Sequence, residues 1–369
     1  MLKKLIEICD IEKGKQIDTK MLDKNSPYKY INGGIKESGY FSEYNTQGKT
    51  VIVSEGGASC GYVNYIEEPF WCGCHCYRLT NAKVNEKYLY YVLKGNQDKI
   101  MKLRTGAAMP NIKKSSFANM ILNITEEKSE QNTIVNDLDC INNLINCKQR
   151  ELFSLDELIK SRFIEMFGYV TEKIYVKDVA NVLGGFSFKS KDITTEGVRL
   201  LQIANVALID ITWETINYLP HDYLSRYTNF SLCEDDIIMA LTRPIIQSLD
   251  NVKTCIIRNR DLPALLNQRV ARIKANKVNF LFLFYCFMTE EFTQYVKDNC
   301  SGSSQPNMST KAIENFLIPN VSIRLQNEFA LFVELIDKSK FISYSRYFLC
   351  EILTLFSSTI AYSRVVSIF

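Results

Sequence analysis

The chain has 369 residues, 46% of them hydrophobic, and its 44 basic and 41 acidic side chains leave a net charge of +3. That size and apolar content suit two or three folded domains and exclude a disordered polyelectrolyte, while the near balance of charge permits a nucleic-acid partner without demanding one. The longest apolar run, Phe280 to Met288, is nine residues, against the ~20 needed to span a bilayer.

In chain order, the first element is an apolar–polar run, Leu5 to Lys13, closed by Gly14. Charges interrupt its apolar stretch and no small-residue cleavage site follows, so no export signal is expected. The twelve cysteines then read as reduced thiols of a cytoplasmic protein. Thr50 to Val53 is a β-branched strand followed by a glycine-rich turn containing Gly56 and Gly57. Cys72, Cys74 and Cys76 alternate. On a strand they would share a face that could hold a metal, but the usual paired C-x-x-C knuckles are missing, so buried thiols are expected instead. A helix is expected from Asn85 to Leu103, then the loop Thr105 to Ile112 with its Gly106, Pro110 and Asn111, and a short strand, Met120 to Leu122.

The stretch Glu126 to Gly168 contains no proline, and its apolar positions step by four and three: Ile134, Leu138, Ile141, Ile145, Leu152, Leu155, Ile159, with Phe163 beyond. That spacing is a heptad seam on a rod of roughly 60 Å. Glu126, Glu127 and Glu130 open it, Lys160 and Arg162 lie near its end, and Gly168 can stop it.

After the rod the order of features repeats. Val176 to Gly185 answers Leu5 to Gly14, Asp236 to Ala240 answers the first strand, and Asn279 to Val296 answers the first helix. The loop Ser301 to Met308, with Gly302, Pro306 and Asn307, answers Thr105 to Ile112. Each loop is followed by a small strand and a Gln-Asn pair opening a helix, Gln131-Asn132 and Gln326-Asn327. A duplicated order means two domains of one mixed α/β fold, each trailed by a long helix. The second trailing helix begins near Ile323 and carries Phe329, Phe332 and Ile336; its seam is expected to fray at Ser339, Ser343 and Arg346.

No P-loop, dinucleotide fingerprint or nucleophile elbow is present, and the only histidines are His75 and His221. The polar loops are better suited to a polyanion. In the first half the candidate DNA-binding residues are Gly56, Gly57, Tyr77, Arg78, Lys102, Arg104, Lys113 and Lys114. In the second they are Lys189, Lys191, Thr242, Arg243, Asn267, Gln268, Arg269, Ser303, Ser304, Gln305 and Asn307. Arginine suits a guanine edge, Asn or Gln an adenine edge, and lysine or serine a phosphate.

The loop Ser301-Gly302-Ser303-Ser304-Gln305-Pro306-Asn307-Met308-Ser309, the segment Leu155 to Gly168 and Ile336-Asp337-Lys338-Ser339-Lys340-Phe341, set in a duplicated layout, resemble the specificity subunit of type I restriction–modification enzymes along the whole chain. The resemblance implies an α+β architecture of two similar target-recognition domains separated by two long antiparallel helices in a coiled coil. Here these would be domains 1–125 and 171–320, with helices over 126–170 and 321–369. It further implies a non-catalytic subunit that directs methyltransferase and motor-nuclease (restriction) subunits to a bipartite, asymmetric site on double-stranded DNA. S-adenosylmethionine, ATP and magnesium would then belong to those partners. Two departures from the family pattern are Ala107-Ala108-Met109 in the first loop and the serine-rich stretch after Lys340. The rival readings are a stand-alone nuclease or metal–thiol enzyme, and a coiled-coil adaptor that never touches DNA.

Overall fold

The computed structural model describes residues 1–106, 108–301 and 305–363, with side chains as far as Phe348. The chain divides into two compact units, Met1–Glu151 with Ser343–Phe369, and Leu152–Ile342. Each unit holds part of both long helices.

In the first unit β1 (Leu2–Lys4), β2 (Asp10–Lys13), β3 (Tyr28–Ile31), β4 (Gly39–Phe41), β5 (Thr50–Ser54), β6 (Val63–Ile66), β7 (Phe70–Cys72), β8 (Cys76–Thr80) and β9 (Ile121–Asn123) form three small sheets. Their orders are β2-β8-β5-β6, β4-β3-β7 and β1-β9. The second unit contains β10 (Lys173–Tyr175), β11 (Ala180–Gly184), β12 (Val198–Leu201), β13 (Asn217–Leu219), β14 (Ile237–Ala240), β15 (Ile245–Ile246), β16 (Asn251–Val252), β17 (Thr254–Ile256), β18 (Ala264–Leu266), β19 (Val270–Ala275) and β20 (Leu317–Pro319). Its orders β11-β19-β14-β17, β13-β12-β18 and β10-β20 repeat the first unit's, including one parallel pairing each, β3 with β7 and β12 with β18. The second unit adds a hairpin, β15-β16.

The fully buried β5 and β14 lie inside their sheets, as runs covered on both faces should. Close packing at one sheet end is matched in the two units. A Cβ on Gly14 would lie 2.2 Å from the carbonyl oxygen of Gly73, and one on Gly185 2.0 Å from that of Asn267. Only glycine fits at these two positions.

The expected helix Asn85 to Leu103 is two pieces, Glu86–Gly95 and Gln97–Met101, because the Asn96 side chain donates back to the Val92 carbonyl and ends the first. Asn279 to Val296 is likewise broken into Phe280–Cys286 and Glu290–Asn299, since Thr289 caps the second piece through the Phe292 amide.

The Gln-Asn pairs have one shared task. Gln131, 1% exposed, accepts from the Asn85 amide at 2.8 Å and donates to the Thr125 carbonyl at 2.9 Å. Gln326 does the same with Asn279 at 2.8 Å and Val321 at 2.9 Å. Asn85 donates to Asn132 at 3.1 Å, and Asn279 to Asn327 at 3.0 Å. Asn85 and Asn279 are themselves N-caps. A glutamine at the root of each long helix thus satisfies the backbone just ahead of a second helix and fixes the two together.

The central helix is Lys128–Phe167, 40 residues, and the distal one Ile323–Ser363, 41 residues. The seam residues divide by place. Leu138 in the first unit and Ile159, Phe163 and Phe329 in the second are buried, with the last three inside the second unit's core. Ile134 packs against the first unit's core, Phe332 and Ile336 against the second's, and Ile141, Ile145, Leu152 and Leu155 are half-buried between these ends. In the second unit Phe163, Phe167, Phe282 and Phe329 form an aromatic knot with centroid separations of 4.9–6.1 Å.

In that unit Asp156 meets Lys340 at 2.6 Å, Arg162 lies over Phe332 and Phe163 packs on Phe329, so rising numbers on one helix meet falling numbers on the other. In the first unit Gln149 donates to the Tyr347 hydroxyl at 3.2 Å. The helices pair antiparallel. Of the three positions where the seam is expected to fray, Ser339 and Arg346 are exposed and Ser343 is not. That serine is 1% exposed, and the helix runs on to Ser363. No helix among the described residues is long and apolar enough to cross a membrane.

Candidate nucleic-acid interface

Three loops meet at one end of the β2-β8-β5-β6 sheet. The turn after β5 is tied to the β7–β8 turn, since the Glu55 amide donates to the His75 carbonyl at 2.8 Å. It is tied to the proline loop through Gly57 N to the Pro110 carbonyl at 3.0 Å and Ile112 N to the Glu55 carbonyl at 2.9 Å. The proline loop is closed on itself by reciprocal bonds between Thr105 and Asn111, at 2.8 and 2.9 Å.

The second unit makes the same bonds with other residues. Leu241 N donates to the Arg269 carbonyl at 3.0 Å, Arg243 N to the Pro306 carbonyl at 2.7 Å and Met308 N to the Leu241 carbonyl at 2.8 Å. Ser301 and Asn307 close the loop with bonds of 2.9 and 2.8 Å. The Thr242 hydroxyl donates to the Asn307 side chain at 2.6 Å.

Matching bonds equate Glu55 with Leu241, Gly56 with Thr242, Gly57 with Arg243, His75 with Arg269, Pro110 with Pro306 and Asn111 with Asn307. By the same register Lys113 and Lys114 answer to Ser309 and Thr310. One backbone rim therefore carries two different sets of side chains. His75 was not among the sequence candidates. The correspondence of Cys72–Cys76 with Leu266–Val270, legible in the sequence, sets His75 against Arg269.

The sequence candidates fall into four groups. Lys102, Lys113, Lys114, Lys189, Lys191, Arg243, Gln268, Arg269, Gln305 and Asn307 are exposed, and the lysines and arginines of this group have no ion-pair partner among the described residues. Gly56, Gly57, Thr242 and Asn267 are half-exposed on the rim. Lys189 precedes and Lys191 lies within a single turn, Ser190–Asp192, that follows the bridge from Phe186 to Asn267. Ser303 and Ser304 lie outside the described residues.

Tyr77, Arg78 and Arg104 differ from expectation. Tyr77 is 3% exposed and its hydroxyl donates to the Ile112 carbonyl at 2.9 Å and to Glu55 at 3.2 Å. Burial, reinforced by Glu55, pushes its ionisation well above the ordinary tyrosine range. It supports the rim from beneath. Arg78 sits opposite Glu12 in the β2–β8 register and pairs with it at 2.7 Å, a cross-strand ion pair that holds it on the sheet. Arg104 is half-buried beside Cys60, where its charge opposes the burial that raises that thiol's pKa.

The cysteine cluster is not a strand face. Cys72 ends β7, Cys76 begins β8, and both are buried in a small apolar cluster. Cys74 sits in the turn between them, its thiol donating to Gln16 at 2.8 Å. No group of three His, Cys, Asp or Glu placed to hold a metal occurs among the described residues.

A rim of backbone-pinned loops whose exposed basic side chains have no ion-pair partner among the described residues, built twice on one scaffold, suits base-edge and phosphate contacts. The family model described as type I restriction modification DNA specificity domain matches the chain twice, over residues 1–155 and 171–342. The chain belongs to this family. It is 30% identical over 279 residues to the type I restriction enzyme MjaVIII specificity subunit of Methanocaldococcus jannaschii, covering 70% of this chain and 64% of that one. Over 208 residues it is 32% identical to a putative type I specificity subunit of Mycoplasma genitalium, covering 52% of this chain and 54% of the relative. The matches thus span less than two thirds of these relatives' lengths. In fold it resembles the crystal structure of the type I restriction–modification S subunit from M. genitalium, with a TM-score of 0.62 at 21% identity over 98% of this chain and 95% of the other. A chain from a structure titled for complex assembly and conformational transition of the type I system aligns with a TM-score of 0.58 at 11% identity, over 98% and 97% of the two chains.

Proposed function

We propose that this chain is the DNA-recognition subunit of a type I restriction–modification enzyme. It directs methyltransferase and restriction subunits to a bipartite, asymmetric site in double-stranded DNA. The observation that carries the reading is the doubled rim: the same hydrogen-bonded loops hold Gly57, His75 and Lys113 in one unit, and Arg243, Arg269 and Ser309 in the other. Two copies of one frame with unlike side chains suit two half-sites of unlike sequence. Phosphate contacts from the lysines position the duplex, and a few base-edge contacts per unit specify it.

The chain carries out no chemistry of its own on this reading. S-adenosylmethionine, ATP and magnesium are bound by the partner subunits, which the paired helices hold. The spacing of the half-sites follows the helices' length, so removing one heptad from both at matched positions, about 10 Å, shortens the gap.

Sequencing methylated bases in cells with and without the gene tests the proposal. It predicts a gapped, two-part methylated motif that vanishes with the gene. Methylation independent of the gene, or nuclease activity of the isolated chain, would refute it.

A further inference from the structure

The equivalence of Gly57 and Arg243 goes further than a difference in composition. Both residues donate their amide to the proline carbonyl of the neighbouring loop, Gly57 to Pro110 and Arg243 to Pro306, and both have left-handed backbone, with φ of +80° and +47°. Glycine adopts that conformation freely, whereas a long L side chain is rarely found there. A Cβ built on Gly57 has nothing within 4 Å, so a side chain at this position of the rim points into open space.

In the second unit that open position is filled by an arginine against its backbone preference. The guanidinium is exposed and has no ion-pair partner among the described residues. Arg243 is also fixed from both sides. Thr242 is bonded to Asn307 at 2.6 Å, and Lys253 N donates to the Pro244 carbonyl at 2.6 Å. It lines an open recess with Lys253, Lys297 and Pro306, where Asp250 of the β15–β16 hairpin neutralises Lys297 at 2.7 Å.

We propose, building on the DNA-recognition reading, that Arg243 reads a guanine edge in the half-site taken by the second unit, and that the first unit leaves the corresponding base unread at Gly57. The planar fork of arginine matches the O6 and N7 acceptors of guanine in the major groove, and a backbone pinned at two bonds aims it without further ordering. Lys253 beside it meets the adjacent phosphate. Unfavourable backbone conformations kept by surrounding bonds concentrate where a side chain must be aimed.

The test selects bound molecules from a pool of randomised duplexes with the full-length chain, followed by affinity measurements at fixed salt on the enriched duplex and on one with the guanine changed to adenine. The wild-type chain is expected to discriminate the two by roughly 10- to 100-fold. Arg243→Gly, which removes the side chain and relieves the backbone, should lose that discrimination, keep the other half of the motif and unfold at no lower temperature. Arg243→Lys keeps the charge and loses the fork, and should also lose the preference. An unchanged motif in Arg243→Gly overturns the assignment, as does full retention in Arg243→Lys, which would make position 243 a phosphate contact. If the wild-type chain enriches no two-part motif, the DNA-recognition reading itself fails, an outcome visible before either variant is made.

Discussion

The two units share the hydrogen bonds of their rim loops and helix roots and differ in what those bonds display. The frame is held by glutamines at the helix roots, by glycines where strands touch, and by proline loops tied to the turn after an inner strand. The display is Gly57, His75, Lys113 and Lys114 in one unit against Arg243, Arg269, Ser309 and Thr310 in the other. The positions that hold the fold and the positions that face solvent are separate sets. The rim can therefore change without disturbing the core, as recognition loops on a rigid scaffold generally do.

The frame is not uniform in strength, and the largest expected effect probes that. Phe329, fully buried in the aromatic knot, answers to the half-buried Ile134 of the first unit. Phe329→Ala should cost about 3–5 kcal/mol and Ile134→Ala about 1 kcal/mol, read from denaturant unfolding; equal losses would show that the units bury their helix roots alike. Next come the matched glycines. Gly14→Ala and Gly185→Ala, each driving a Cβ into a carbonyl, should each destabilise by roughly 2–3 kcal/mol, and a neutral result in one unit would break the equivalence there. Smaller still are Gln131→Ala and Gln326→Ala. Each strands a helix-leading amide and should cost about 1–2 kcal/mol, by the same measurement and to the same extent in both units. The smallest effect sharpens the difference in display. Replacing Lys113 and Lys114 by alanine should lower the slope of log affinity against log salt by up to about 2 without altering the enriched sequence.

Much of the frame is legible in the chain because duplication makes weak signals agree. A lone Gly-Pro-Asn loop means little, yet two of them, each followed by a strand and a Gln-Asn pair, fix the order of elements in both units. What local patterns miss is decided by partners in space. Tyr77 reads as a polar aromatic near basic residues, but the alternation along β8 turns it inward onto Glu55 and Ile112. Arg78 reads as a free cation until the register sets it against Glu12. Ser343 reads as a break in a seam, whereas a small residue can be buried between close-packed helices. The Cys72–Cys76 alternation suggests one strand, but Cys74 lies in a turn. Extending the match of the strands at Thr50 and Asp236 without a gap sets Gly57 against Arg243, and the backbone bonds show that the two positions share one place on the rim.

The account rests on each unit reading one half of the target. The direct measurement exchanges residues 171–320 for the corresponding segment of a related specificity subunit and determines the sequence enriched from randomised duplexes by the hybrid and by the unaltered chain. One half of the two-part sequence should change while the other half stays as it was. A change in both halves, or in neither, would contradict it.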